Sequence, residues 1–282
     1  MKAIFTFSML AGLFLISSCK KSKNDEQSSS ANCRTTTTLF HLVRDNALNM
    51  SDVDIKSENF GYDQQGRLVS YNQNNLTAGM DSYVISYTYG SGEIIETYKN
   101  SVTNAVVVTY TYKLDGQNRI VSRTEQPLRS DEARYTYKYD AQGYMIENYQ
   151  YSRNGSSISE RRLTYTYTNG NLTAINTAFS DGGPVYDNYK TDITYTDVPQ
   201  KDNFILNQGY PVLYEQYHPL RKFFGTASKN MIASVKEFLG YGYANYAYTY
   251  EQDANQNVAG MRLVSDSNNG RTYTLKFGMN CN

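Results

Sequence analysis

The chain has 282 residues, with 27 basic and 27 acidic side chains and only two histidines. Balanced charge and the lack of a basic stripe argue against a nucleic-acid partner. Tyrosine is extreme at 28 while tryptophan is absent. That usage suits a half-wet pleated surface, where the ring packs and the hydroxyl stays hydrated.

Residues 1–18 read as a signal peptide. Lys2 supplies the positive start, and Ala3 to Ile16 is apolar but too short to span a membrane as a mature helix. It ends in Ile16, Ser17, Ser18 and Cys19, which resembles the lipobox of bacterial lipoproteins. The resemblance implies acylation of Cys19 and cleavage before it; an ordinary signal peptide with a chance cysteine is the alternative. Residues 19–32 are then a lipidated tether, polar and serine-rich, with an end-to-end distance of roughly 20 Å as a coil. By resemblance to lipoprotein sorting signals, Lys20 argues against inner-membrane retention. Ser22 and Lys23 followed by Asp25 and Glu26 loosely resemble a surface-export signal, from which Asn24 departs. The expected place is the outer membrane, at the cell surface or on the periplasmic face.

Residues 33–282 carry a repeated pattern and read as one domain. In its clearest copy Tyr135, Tyr137 and Tyr139 alternate with Arg134, Thr136 and Lys138, then Asp140 and Gly143 make a turn, then Met145 starts a return strand. Period two means strand, Asp bonds its own backbone in a turn, and Gly accepts positive φ. Similar turns stand at Asp63–Gly66, Gly90–Gly92, Asp115–Asn118 and Asn169–Asn171. The anchors Tyr62, Tyr89, Tyr112, Tyr137, Tyr167 and Tyr195 lie 27, 23, 25, 30 and 28 residues apart, which fits two strands, a short loop and a longer one. Stretches 72–81, 126–132, 152–159 and 180–187 read as longer loops. The fold class expected is all-β: an antiparallel meander of about fourteen strands, forming one large curved or closed sheet. The period lapses over 197–245, which reads as a short, partly helical insertion plugging one face or end of the sheet. Pro211 could start a helix there and Pro219 end it.

With Cys19 acylated, Cys33 and Cys281 remain at the two ends of this domain, in an oxidising compartment. They read as a disulfide, or as two separate thiols. A bridge would set the first strand beside the last and close the chain on itself.

The copies of Tyr-x-Tyr-Asp-x-x-Gly-x-Leu resemble the tyrosine–aspartate (YD) repeats of polymorphic-toxin and teneurin shells. More closely, the lipobox, the hairpins and the segment from Phe223 to Ile232 resemble a domain-of-unknown-function family of lipoproteins from gut anaerobic Gram-negative bacteria. That resemblance implies a repetitive β-sheet lipoprotein and brings no activity or catalytic residues.

Chemistry is sparse. His41 and His218 lack a nucleophile motif around them, metal-ligand clusters are missing, and phosphate-loop or dinucleotide motifs do not occur. Neither a cofactor nor a metal is expected. The carboxylates Asp140, Glu147, Asp187, Asp192 and Glu215 cannot be paired from sequence as a glycosidase would need. Asp63, Asp115 and Asp140 read as turn residues before calcium ligands. Recognition is left, because tyrosine is enriched in binding surfaces. Tyr241, Tyr243, Tyr246, Tyr248 and Tyr250 form the densest cluster and the expected ligand-binding surface, although at least half of the tyrosines should fill the sheet interior. The reading is a non-enzymatic, lipid-anchored envelope protein that binds a glycan or another envelope protein. A scaffold component of an outer-membrane complex stands second, and a carbohydrate-active enzyme third.

Overall fold

The structure is a computed structural model, and it describes residues 33–45, 50–127, 131–181, 186–201, 218–238, 243–266 and 271–281. The signal peptide and tether, with Cys19, lie outside the described residues, as do Pro211, Glu215 and Tyr241. The strands are β1 (Cys33–Asp45), β2 (Met50–Tyr62), β3 (Leu68–Asn75), β4 (Tyr83–Gly90), β5 (Glu93–Asn100), β6 (Val106–Leu114), β7 (Ile120–Gln126) and β8 (Glu132–Tyr139). They continue as β9 (Met145–Asn154), β10 (Ser157–Thr168), β11 (Asn171–Ser180), β12 (Tyr186–Pro199), β13 (Asn230–Phe238), β14 (Tyr243–Gln252), β15 (Val258–Ser265) and β16 (Thr272–Cys281). Each pairs antiparallel with its sequence neighbours, and β1 pairs with β16, so the meander closes into a barrel without edges. Cys33 and Cys281 face each other in that closing register.

Two expectations are corrected. Residues 152–159 are not a long loop: β9 and β10 run on to a tight hairpin, Asn154 opposite Ser157, with Gly155 at φ +60°. The insertion is also shorter than 197–245. Within it Met231, Ile232 and Val235 are buried on β13, a barrel strand without the Tyr-x-Tyr signature. Among the described residues of that span, 200, 201 and 218–229 lie outside the strands.

Alternation sorts the side chains. On β8 Ala133 and Tyr137 are buried while Arg134, Thr136 and Lys138 are exposed; on β10 Leu163 and Tyr165 are buried while Arg162, Thr164 and Thr166 are exposed. The inner residues beside the tight turns are aliphatic: Leu68, Ile94, Ile120, Met145, Leu172 and Val258 are all buried. Farther along the same strands the buried residues turn polar, at Glu96, Glu125, Asn148, Thr177 and Ser265.

One backbone rule recurs at the turns. The strand after the turn skips one residue against its partner: Tyr62 pairs Leu68 but Gly61 pairs Ser70, and Leu114 pairs Ile120 but Lys113 pairs Ser122. Equivalent skips come after Met145, Leu172, Ile232 and Val258. Each is a β-bulge, which bends and twists the strand locally. On the other side of these strands the ladder starts two residues past the bulge carbonyl, at Ser70–Ser86, Ser122–Thr136, Ala174–Asp192 and Ser234–Ala247. The carbonyl before the bulge therefore needs another donor, and a tyrosine supplies it. The hydroxyls of Tyr89, Tyr139, Tyr195 and Tyr250 donate to the carbonyls of Leu68, Ile120, Leu172 and Ile232 at 2.7, 2.6, 2.6 and 2.8 Å. Tyr62 does the same for Thr35, beside the irregularity in β1, at 2.7 Å. Burial pushes the Tyr62 and Tyr195 hydroxyls up to about 12, so they keep the proton they donate.

The turns are equally uniform. Asp63, Asp115, Asp140 and Asp253 each donate their N–H four residues on, and a residue at positive φ, Gly66, Asn118, Gly143 or Gln256, closes the turn back onto the aspartate carbonyl. Their carboxylates accept turn N–H groups from Arg67, Arg119, Tyr144 and Asn257. In two copies an arginine bonds the aspartate and lies over the next repeat's tyrosine: Arg67 over Tyr89 at 4.5 Å and Arg119 over Tyr139 at 4.6 Å. Asp63, Asp115 and Asp140 thus serve the turns.

Replacing Tyr139 by Phe keeps the ring and strands the Ile120 carbonyl. The expected cost is about 1–2 kcal/mol, read as a lower urea midpoint at unchanged slope. A midpoint equal to wild type would show that the hydroxyl contributes nothing.

Candidate functional site

A ring of sixteen strands is too wide for its own side chains to fill, since porins of that size keep an aqueous channel. Here the insertion enters the barrel. Leu220, Arg221 and Phe224 are buried around one 3-10 turn, Arg221–Phe223, which starts two residues after Pro219. Phe224 packs on Tyr137 and Tyr112 at 5.2 and 6.3 Å between ring centres, and Phe223 on Tyr89 at 5.9 Å. The segment then bonds the tight-turn end of the barrel: Thr226 N–H donates to the Gly143 carbonyl and Lys229 N–H to that of Gly170. Gly225 has φ +82°, and a Cβ there would strike the Gly143 carbonyl, so the plug can pass only with glycine at this point.

Plug and wall meet at a buried polar cluster that sequence reasoning missed. Glu96 is fully buried and accepts hydroxyl protons from Tyr112, Tyr87 and Tyr98 at 2.6, 2.7 and 3.2 Å. Burial raises its pKa, against the tyrosine hydrogen bonds and the Arg123 guanidinium, which pull it down. His218, brought in by the plug, sits with Nε2 3.8 Å from Glu96 Oε2 and takes the Leu220 N–H on Nδ1. Burial, then the charge of Arg123, hold it down at about 3, so it is neutral at ordinary pH. Lys56 and Glu58 form a second buried pair at 2.8 Å, the ammonium 4.0 Å from the centre of the Phe40 ring. Both groups are buried in the wall, and Glu96 and Tyr112 meet the plug through His218. His41, by contrast, stands between the buried Phe40 and Leu42 on the outer wall and bonds Asp54 and Asp52.

The four described tyrosines of the expected ligand surface do not share a face. Tyr246, Tyr248 and Tyr250 line the barrel interior, with Tyr248 buried and Tyr250 capping Ile232. Tyr243 faces outward, 59% exposed, packed on Phe238 and under the Lys236 ammonium. The alternation of β14 separates them: Tyr246, Tyr248 and Tyr250 share one parity and Tyr243 has the other.

An outward aromatic cleft occurs elsewhere. The bulge at Ile146 shifts the phase of β9, so Met145 and Asn148 are buried while Tyr149 and Tyr151 stand on the outer wall among charges. Tyr149, Glu160, Arg162, Ala178, Phe179 and Ser180 line a cleft of about 230 Å³. The Tyr149 hydroxyl donates to Glu160 at 2.9 Å, and Arg162 stands 5.6 Å over the Tyr149 ring. The charges continue outward from it, with Lys138 bonded to Glu147 at 2.7 Å. Tyr149 and Tyr151 stand at even spacing from Met145, which a strict period of two places inside with it. Reading them as outward required placing a bulge inside the turn.

The sequence model of a family described as "Domain of unknown function (DUF4595) with porin-like fold" matches residues 60–260. Two solved structures share the fold. A porin-like protein from Bacteroides uniformis ATCC 8492 has a TM-score of 0.61 at 16% identity, over 87% of this chain and 96% of that one. A porin-like protein from Bacteroides vulgatus ATCC 8482 has a TM-score of 0.55 at 11% identity, over 87% and 99%. None of the curated proteins matches the chain.

His218 gives a pH signature. Its folded pKa lies below the unfolded value, so stability is complete above about pH 6.5 and is lost as pH falls toward 3. Glu96 is shifted upward and acts in the opposite sense, losing stability as pH rises through its folded pKa. Comparing wild type with His218→Gln isolates the histidine. Between pH 6.5 and 4.5 the variant should lack a slope of about 1 kcal/mol per pH unit, measured by urea unfolding; parallel curves would mean that His218 is not held neutral.

Proposed function

The chain belongs to the DUF4595 family, and from that membership we propose that it is a lipid-anchored, non-enzymatic binding protein of the outer membrane. One observation carries this: the polarity of the wall. A transmembrane barrel shows lipid an apolar band roughly 25 Å tall and keeps its interior polar. This wall is the reverse, with Ser86, Thr88, Arg134, Lys138, Arg162, Thr166, Arg262 and Lys276 exposed outside and Ile85, Tyr87, Tyr112 and Leu163 buried within. A wall of threonine and paired charges belongs in water, and a plugged interior conducts nothing. The lipid on Cys19, implied by the lipobox, then makes the membrane attachment.

The ends of the chain suit such an anchor. Cys33 lies at the tight-turn end, where Asn257 of one turn donates to its sulfur and Arg34 lies against Gly66 of another. The closing register supports a Cys33–Cys281 disulfide that would pin the strand next to the tether. The tether would hold this end toward the bilayer and present the far end, with Tyr243 and the Tyr149 cleft, to a glycan or an envelope protein. The engagement of the buried Glu96 and His218 where plug meets wall supports the non-enzymatic part of this reading.

Full-length protein reconstituted in planar bilayers should give no stepwise conductance, and a reproducible conductance would overturn the reading. Cys19→Ala should lose radiolabelled palmitate and leave the membrane fraction. A variant that stays membrane-bound without label would remove the lipid anchor.

A further inference from the structure

We propose that the cleft on the outer wall between Tyr149 and Arg162 binds the ring of a neutral sugar. This deepens the proposed binding role and rests on it. The cleft, about 230 Å³, falls just below the range of roughly 300–1,000 Å³ usual for small-molecule sites. That space suits one ring, or the end of a chain whose remainder lies in solvent.

The lining has the two features a sugar demands. Tyr149 offers aromatic carbon to the C–H face of a ring. Glu160 and Arg162 offer an acceptor pair and a donor fork to neighbouring hydroxyls. The Tyr149 hydroxyl occupies one side of the Glu160 carboxylate at 2.9 Å, which fixes the acid beside the ring that would stack. Arg162 is 58% exposed, and its nearest ion-pair contact, to Glu147 at 3.8 Å, is longer than a hydrogen bond. Its donors are therefore available to a ligand.

Charge selects the class. The lining contains one cation, Arg162, and one anion, Glu160, so it offers a phosphate or a uronate no net attraction. The position fits a displayed site: Glu160 and Ser180 lie toward the far end of β10 and β11, near the Asn154–Ser157 hairpin and away from the tight turns beside Cys33.

The test is calorimetric titration of the full-length protein in detergent with glucose, galactose, mannose, N-acetylglucosamine and glucuronate. At least one neutral sugar should bind, and glucuronate should bind more weakly than its neutral counterpart. Tyr149→Ala should weaken the binding about tenfold or more, Tyr149→Phe much less, and Lys276→Ala, outward on β16, not at all. Thermal melts confirm that each variant is folded. No binding by any neutral sugar, or preference for glucuronate, overturns the ligand class. Sugar binding untouched by Tyr149→Ala overturns the cleft while leaving the binding role in place. Channel conductance in the bilayer recording would instead remove the binding role itself.

Discussion

The fold depends on a hydroxyl group. Most hairpins leave their Asp or Asn turn through a bulge, and the bulge strands a carbonyl between two ladders; the β4–β5 hairpin, with Gly90 opposite Glu93, has none. A backbone polar group buried without a partner costs about 1–3 kcal/mol, and the barrel has this problem at strand after strand. The second tyrosine of a repeat solves it by reaching from the next strand with its O–H. Phenylalanine could pack as well but could not donate. This explains why the chain is rich in tyrosine and has only 11 phenylalanines, and why the repeat is Tyr-x-Tyr with a hydroxyl at its far end. The arginine that grips the turn aspartate and covers that ring joins turn, bulge and neighbouring hairpin into one unit.

Much of this is legible in the amino-acid order. Alternation over Arg134–Tyr139 and the Asp-to-Gly turns lead to hairpins, and the hairpins to a meander that has to close. Three things are hidden. β13 lacks tyrosine and looks like insertion until its alternation of Met231 or Ile232 with Val235 is given a strand partner. The bulges are invisible to a strict period of two, yet each inverts the phase of the strand beyond it, so Tyr149 and Tyr151 pass for inner residues until the bulge at Ile146 is known. The buried Glu96–His218 contact joins residues more than a hundred positions apart, and no local pattern can announce a pairing of that span.

The closed ring separates shape from role. A barrel outline suggests a passage, but the side chains decide what the outline means. Aromatic residues stand inside this ring and threonine and ion pairs outside, the reverse of the polarity a lipid-facing barrel requires. Its buried charges do not argue for chemistry either. Glu96 has three tyrosine donors and His218 of the plug beside it, and Lys56 has Glu58, so each buried charge has polar partners.

The insertion has a consequence for the family's variation. The latch recurs at Tyr62, Tyr89, Tyr139, Tyr195 and Tyr250, so a hairpin carrying it could be duplicated or lost without rewriting the next one. What resists is the lumen, whose width grows with the number of strands. Each added hairpin enlarges a void that the plug must fill, and each lost one squeezes Phe224 and Leu220 against the wall. Relatives with longer or shorter barrels should therefore differ in the segment between β12 and β13 in proportion. In this geometry repeat number and plug bulk are one variable, written at two places in the chain.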